Sequence, residues 1–171
     1  TGGLNISTTA SPAAQSVIVG ATQFTFANFV FDAAASGEDV RITQLAVVHK
    51  TSANSIQTNI ANLAVYNGAT QLLPIVQPTA VAATTATSTF SFTNPPVATK
   101  GGSLSLALKG DIVAGSAAQT HSFGCNGAAC ATATGISTGN SVTPSVTNSD
   151  GQVMTIAASG SLTVATDASN P

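Results

Sequence analysis

Tryptophan is missing from this 171-residue chain, and charge is nearly missing too. Arg41, Lys50, Lys100 and Lys109 are the only basic side chains, and Asp32, Glu38, Asp39, Asp111, Asp150 and Asp167 the only acids. Together they make up 6% of the residues, against roughly 25% in ordinary soluble domains. Four scattered cations cannot build the basic surface that a phosphate backbone requires, so nucleic acid is excluded as a partner. No apolar run approaches the roughly eighteen residues of a helical membrane span, which excludes insertion of that kind. Two His and six acids leave most reaction classes short of parts. The chain has no nucleophile elbow, no phosphate-binding loop and no recognisable carboxylate pair, so it is not expected to be an enzyme or to hold a cofactor.

What is present is apolar and small. Hydrophobic residues reach 43%, and Ala, Ser and Thr dominate the remainder. Disorder ordinarily needs low hydrophobicity with high net charge, and this chain has neither. A surface so poor in charge is weakly protected against association. That is a defect in a dispersed monomer and an expected property of a protein covered by copies of itself. The chain opens on Thr1 with no visible signal peptide, which reads as a processed chain or a fragment.

The most informative stretch is the last, because it repeats the first. Gly2-Gly3-Leu4-Asn5-Ile6-Ser7-Thr8 aligns with Gly160-Ser161-Leu162-Thr163-Val164-Ala165-Thr166. Pro12 follows one copy and Pro171 the other. Both alternate apolar and polar residues with period two, the pattern of a half-buried strand. A compact domain has one place for a given strand. The expected organisation is therefore a β-sandwich domain over residues 1–158 that includes the N-terminal strand. Residues 159–171, repeating 1–12, form a strand donated to the next copy.

Between these ends the sequence reads as strands and turns. Phe24, Phe26, Phe29 and Phe31 fall at spacings of two, three and two, and Val40, Ile42, Leu45 and Val47 repeat the slip. The slip predicts a bulge near Ala27-Asn28, and the loop Ala34-Ala35-Ser36-Gly37 predicts a hairpin or a sandwich corner. Asn67-Gly68 signals a tight turn into Gln71-Leu72-Leu73. Pro74 and Pro78 confine their segment to an edge or loop. Phe90 and Phe92, and then Leu104, Leu106 and Leu108, are expected to point inward. Residues 114–150 carry short strands at most, and 152–157 form the last strand of the body. No segment keeps helical periodicity. These signals predict an all-β fold, an antiparallel immunoglobulin-like β-sandwich with an exchanged terminal strand.

A resemblance rests on Val19-Gly20-Ala21-Thr22, the Phe strand, Gly37-Glu38-Asp39-Val40-Arg41-Ile42-Thr43 and Leu63-Ala64-Val65-Tyr66-Asn67-Gly68. Over about residues 2–112 the chain resembles the immunoglobulin-like modules of bacterial and archaeal cell-surface proteins (surface-layer, adhesin or filament). Those modules often occur in tandem. The resemblance implies an extracellular location and a scaffolding or adhesive role, without an activity.

Few residues carry candidate chemistry. Cys125 and Cys130 are expected to pair as a local disulfide, since a two-cysteine chain of extracellular type uses them so. The competing reading joins them with His121 and His49 around a metal, although nothing in the sequence places His49 near the others. Glu38-Asp39 is read as a solvated pair shielding a strand start, with calcium binding as the alternative. An isopeptide bond from Lys50, Lys100 or Lys109 would need an Asn and a carboxylate beside it in the core. Asn5-Ile6-Ser7 has the form of an N-glycosylation acceptor, and the Ser/Thr-rich run 84–93 that of an O-glycosylated one.

The function read from these features is a structural subunit of an extracellular filament or surface array, partnered by itself through strand exchange. Leu162, Val164 and Thr166 are the donor residues, and Leu4 and Ile6 mark the acceptor place. The alternative is a carbohydrate-binding or adhesive module that meets glycans or a cell surface. The absence of Trp and the single Tyr, Tyr66, weigh against a sugar platform.

Overall fold

The computed structural model describes residues 1–148 and 150–157, which form a two-sheet β-sandwich. Fourteen strands follow one another along these residues. The first six are β1 (Asn5–Thr8), β2 (Gln15–Ile18), β3 (Phe24–Asp32), β4 (Val40–Thr51), β5 (Ile60–Asn67) and β6 (Thr70–Val76). Then come β7 (Thr85–Ser91), β8 (Val97–Ala98), β9 (Ser103–Ile112) and β10 (Thr120–Gly124). The last are β11 (Ala131–Gly135), β12 (Ser141–Val142), β13 (Ser145–Asn148) and β14 (Met154–Ala157). Two short 3-10 turns, Gln57–Asn59 and Gly127–Cys130, are the helical elements among the described residues. The first sheet runs β13-β1-β3-β9-β5-β6; the second runs β12-β11-β4-β10-β14-β2, with β7 and β8 on the other side of β4. Pairing is antiparallel except for β1 with β13 and β14 with β2, which are parallel and sit at sheet margins.

The shared phase slip of the two central strands is real and has a common cause. On β3 the pairing with β9 skips Phe26, one residue before the expected bulge at Ala27-Asn28. The extra residue returns Phe29 and Phe31 to the inner face, so Phe26, Phe29 and Phe31 are all at most 1% exposed, while Phe24 is half-buried. On β4 the pairing with β11 skips Thr43, which leaves Val40, Ile42, Leu45 and Val47 fully buried. β3 belongs to one sheet and β4 to the other, so residues 33–39 form a sandwich corner and not a hairpin. Asn67 pairs with Thr70 across a two-residue turn, with Gly68 at φ +60°. Such a turn demands the left-handed conformation that glycine adopts without steric cost. Pro74 sits in β6, which ends its sheet, as a residue without an N–H requires. Phe90, Phe92, Leu106 and Leu108 are buried as expected, and Leu104 is half-buried.

Strand register gives the sandwich two distinct poles. Asn5, Asp32 and Ser103 lie level, and Thr1 is held there by the Gly37 N–H, which donates to its carbonyl. This N-terminal pole is built from loops 33–39, 99–102 and 135–140. Phe24, Gly110, Ile112 and Ile60 lie at the opposite end. β14 runs toward that end, where Ile156 is hydrogen-bonded to Gln119 and to Ala118. This C-terminal pole is built from loops 19–23, 52–59, 77–84 and 113–119.

Candidate functional site

β1 has the burial its sequence predicts. Leu4 is 5% exposed, Ile6 is fully buried and Thr8 is buried on the same face, while Asn5 and Ser7 face outward and are half-buried. Both of its edges are used, antiparallel to β3 and parallel to β13. The place marked by Leu4 and Ile6 is therefore filled by the chain's own strand, and β13 beside it ends the sheet among the described residues. Asn5 has a polar task in this arrangement. Its Nδ2 donates to Ser145 Oγ at 3.0 Å and Thr147 Oγ1 at 2.8 Å, and its Oδ1 accepts from Thr147 Oγ1. A sugar on Asn5 would have to replace these cross-strand bonds. Leu162, Val164 and Thr166 lie outside the described residues.

The poles differ in chemistry. Loops 19–23, 52–59, 77–84 and 113–119 contain no charged residue. Four large apolar side chains are exposed at or beside them: Ile18, Ile56, Val81 and Val113, from 43% to 57%. Val81 is tied to this end by its N–H, which donates to Gln57 Oε1, and Val113 by its N–H, which donates to the Asn59 carbonyl. A shallow cleft of about 490 Å3 opens there between Ser52-Ala53-Asn54 and Ser116–Gln119. At the N-terminal pole Asp32, Glu38, Asp39, Arg41 and Lys100 gather half of the chain's charged residues, while Lys50 and Asp111 stand in the strands beside the C-terminal loops, where Asp111 accepts from the Gln23 N–H.

Glu38 is not the solvated residue expected from sequence, since it is only 5% exposed. Its carboxylate accepts from the Ser137 N–H, the Thr138 N–H and Thr138 Oγ1, each at 2.9 Å. The hydrogen bonds of Thr138 hold its pKa below the usual carboxylate value, against a smaller opposing effect of desolvation. Glu38 is thus a loop clamp, and Asp39 turns away to accept from the Lys100 N–H. No group of three or more metal-ligating His, Cys, Asp or Glu side chains occurs among the described residues.

The tertiary structure creates a pair that the sequence did not place. His49 on β4 and His121 on β10 both face the core, with His49 Nε2 and His121 Nδ1 2.9 Å apart. The β10–β4 register sets Phe123 opposite His49 and Thr51 opposite His121, which makes the two imidazoles diagonal neighbours on one face. His49 stacks on Phe123 with ring centroids 4.1 Å apart. The outer nitrogens, His49 Nδ1 and His121 Nε2, are buried without hydrogen-bond partners. Burial pushes the pKa of His49 down to about 3, helped by the charge of His121, and burial alone pushes that of His121 down to about 4. The cysteines do not join this pair in a metal site, because Cys125 and Cys130 form a disulfide across the 127–130 turn. The lysines are likewise away from the core: Lys50 pairs with Asp150 at the surface, Lys100 is exposed, and Lys109 Nζ lies 4.7 Å over the Tyr66 ring. An isopeptide bond has no such lysine to use.

A second cleft, about 330 Å3, lies on the outer face of the first sheet between Gln23, Asn62, Tyr66, Gln71, Ile75 and Asp111. Asp111 accepts from the Gln23 N–H and from Asn62 Nδ2, both at 2.7 Å, and Tyr66 Oη donates to Gln71 Oε1 at 2.8 Å. Tyr66 is only 8% exposed and Lys109 Nζ lies over its ring, so it offers no open aromatic platform here.

No family model and no curated protein matches the sequence. Among solved structures, the chain is similar to the crystal structure of the seventh ScaB type I cohesin from Pseudobacteroides cellulosolvens. The identity is 11% and the TM-score 0.42, over 96% of this chain and 99% of that one. A likeness of that size carries no partner and no activity to this chain.

Proposed function

We propose that the chain is a structural module of an extracellular filament or surface array, joined head to tail by β-strand exchange. Residues 1–158 act as the body and 159–171 as the donor. The observation that carries this reading is the position of the ends. Thr1 lies at one pole, while Ala157 closes β14 at the other, and a repeat of the β1 sequence begins three residues later. A contact between unlike ends is heterologous, and it propagates as a fibre when its rotation does not close a ring. The donor takes the β1 place of the next copy by displacing that strand, or adds beside it to the edge of β13, which ends the sheet among the described residues. Main-chain hydrogen bonds supply affinity and the alternate side chains Leu162 and Val164 fill pockets. Their burial would contribute about 1.5–3 kcal/mol each. The scarcity of charge and the disulfide agree with an extracellular, self-covered protein.

Sedimentation and electron microscopy of the purified chain test the reading. Polymers are expected from the native sequence, and the double change Leu162→Lys with Val164→Lys is expected to leave folded monomers. Polymers formed normally by that variant would overturn strand exchange.

The cleft at Tyr66 and Asp111 favours one other reading, a carbohydrate-binding or adhesive module. Its amides, hydroxyl and carboxylate are groups that recognise a polyhydroxylated ligand. Titration with soluble glycans that shifts the amide resonances of Gln23, Asn62 and Gln71 in a monodisperse monomer would favour this reading over assembly.

A further inference from the structure

We propose that the C-terminal pole, whose four loops carry no charged residue, is an interface, and that its occupant is the N-terminal pole of a second copy. This rests on the head-to-tail reading above and adds the surfaces that meet. The first argument is the pole's chemistry. Four loops from different parts of the chain converge there without one charged residue, and Ile18, Ile56, Val81 and Val113 stand exposed at or beside them. Half of the eight exposed large apolar residues among the described residues gather at or beside this end, and such a gathering marks a contact surface. Of the other exposed large apolar residues, Leu73 and Ile75 lie on β6, where Ile75 lines the second cleft with Gln23 close to this end, Ile136 lies at the N-terminal pole and Val153 ahead of β14.

The second argument selects the occupant. Leu162 corresponds to Leu4 and Gly160 to Gly2, and β1 starts at the N-terminal pole. Three Cα–Cα steps separate Ala157 from Gly160, at most roughly 11 Å when extended. A neighbour that receives the repeat at or beside its β1 place must therefore bring its N-terminal pole against the C-terminal pole of the donor. That face offers exposed Ala34, Ala35 and Ile136 for apolar contact. Its exposed charged residues Asp32, Asp39, Arg41 and Lys100 then supply a polar rim, an arrangement that interfaces commonly show.

Two experiments on the full chain separate this proposal from strand exchange. In the first, Ile56→Asp with Val113→Asp is compared with Leu162→Lys and Val164→Lys by sedimentation at matched concentrations, with circular dichroism as the check on folding. The Asp variant is expected to need about tenfold more protein to polymerise. Assembly of the Asp variant at native concentrations, with the Lys variant monomeric, overturns the pole contact and leaves strand exchange standing. The reverse pattern supports the pole contact and overturns strand exchange. Native chain that stays monomeric overturns both. The second experiment mixes Val113→Cys chains with Ile136→Cys chains under mild oxidation. Cross-linked heterodimers support the head-to-tail contact. Homodimers through position 113 alone mean that like poles meet, and overturn it.

Discussion

His49 Nε2 and His121 Nδ1 stand 2.9 Å apart between the two sheets, one hydrogen bond joining β4 to β10 in the interior. Only one of these nitrogens can carry the shared proton while both rings are neutral. Their outer nitrogens have no partner, so protonating either ring would place an uncompensated charge in the core.

Stability is therefore expected to fall in mild acid. The folded pKa values of about 3 for His49 and about 4 for His121 lie below the unfolded value of 6.5, so the unfolded chain binds more protons. The contribution of the pair is fully present above pH 6.5 and is lost as the pH falls from 6.5 to about 4 for His121 and to about 3 for His49. At about pH 5.5 the loss should be about 2–3 kcal/mol for the two groups together. Urea midpoints measured from pH 7.5 to 5 check this, and a flat profile over that range would refute it. A His49→Phe, His121→Leu variant should lose most of the slope.

Truncation of the Phe strand should discriminate among its rings. Phe26, Phe29 and Phe31, being at most 1% exposed, should each cost about 3–5 kcal/mol as Ala variants. Phe24 is half-buried and should cost less. Equal losses at all four positions, measured by denaturant unfolding, would contradict the observed position of the bulge.

Reduction should act locally. The Cys125–Cys130 loop is short, and its closure contributes about 2 kcal/mol on chain-entropy grounds. Replacing both residues by Ser should keep the fold and increase amide exchange over residues 125–131. Intact mass under non-reducing conditions should be two hydrogens below the free-thiol value; two free thiols would refute the pairing.

Gly151 should not tolerate a side chain. A Cβ there would collide with the carbonyl oxygen of Phe123, which as backbone cannot swing aside. Gly151→Ala should cost roughly 1–3 kcal/mol. An unchanged melting temperature would show that the chain next to β14 can shift.

How far the sequence could be read depended on whether the signal was local. The alternation Leu4-Asn5-Ile6, the Asn67-Gly68 turn and the edge role of Pro74 each follow from a few neighbouring residues, and all three hold in the structure. The matched spacing of Phe24–Phe31 and Val40–Val47 announced two bulged strands sharing a core, because a period-two strand cannot otherwise bury both pairs. The paired cysteines were legible because a chain of extracellular type with two cysteines pairs them, and Cys125 and Cys130 do pair.

Register was not legible, and the candidate site depends on it. His49 and His121 are 72 residues apart, and only the antiparallel β4–β10 ladder makes them neighbours. Glu38 looked like a loop acid; the 135–140 turn folding back over it made it a buried clamp. The placement of Thr1 and Ala157 at opposite poles follows from the summed directions of fourteen strands, which no local pattern encodes. Composition and periodicity determined by themselves that this chain makes a charge-poor all-β sandwich, and that the sequence of its first strand recurs at residues 160–166. Which side chains meet, and which loops without charge converge at one end, was decided by long-range pairing, because strand order and register are set by the whole core at once.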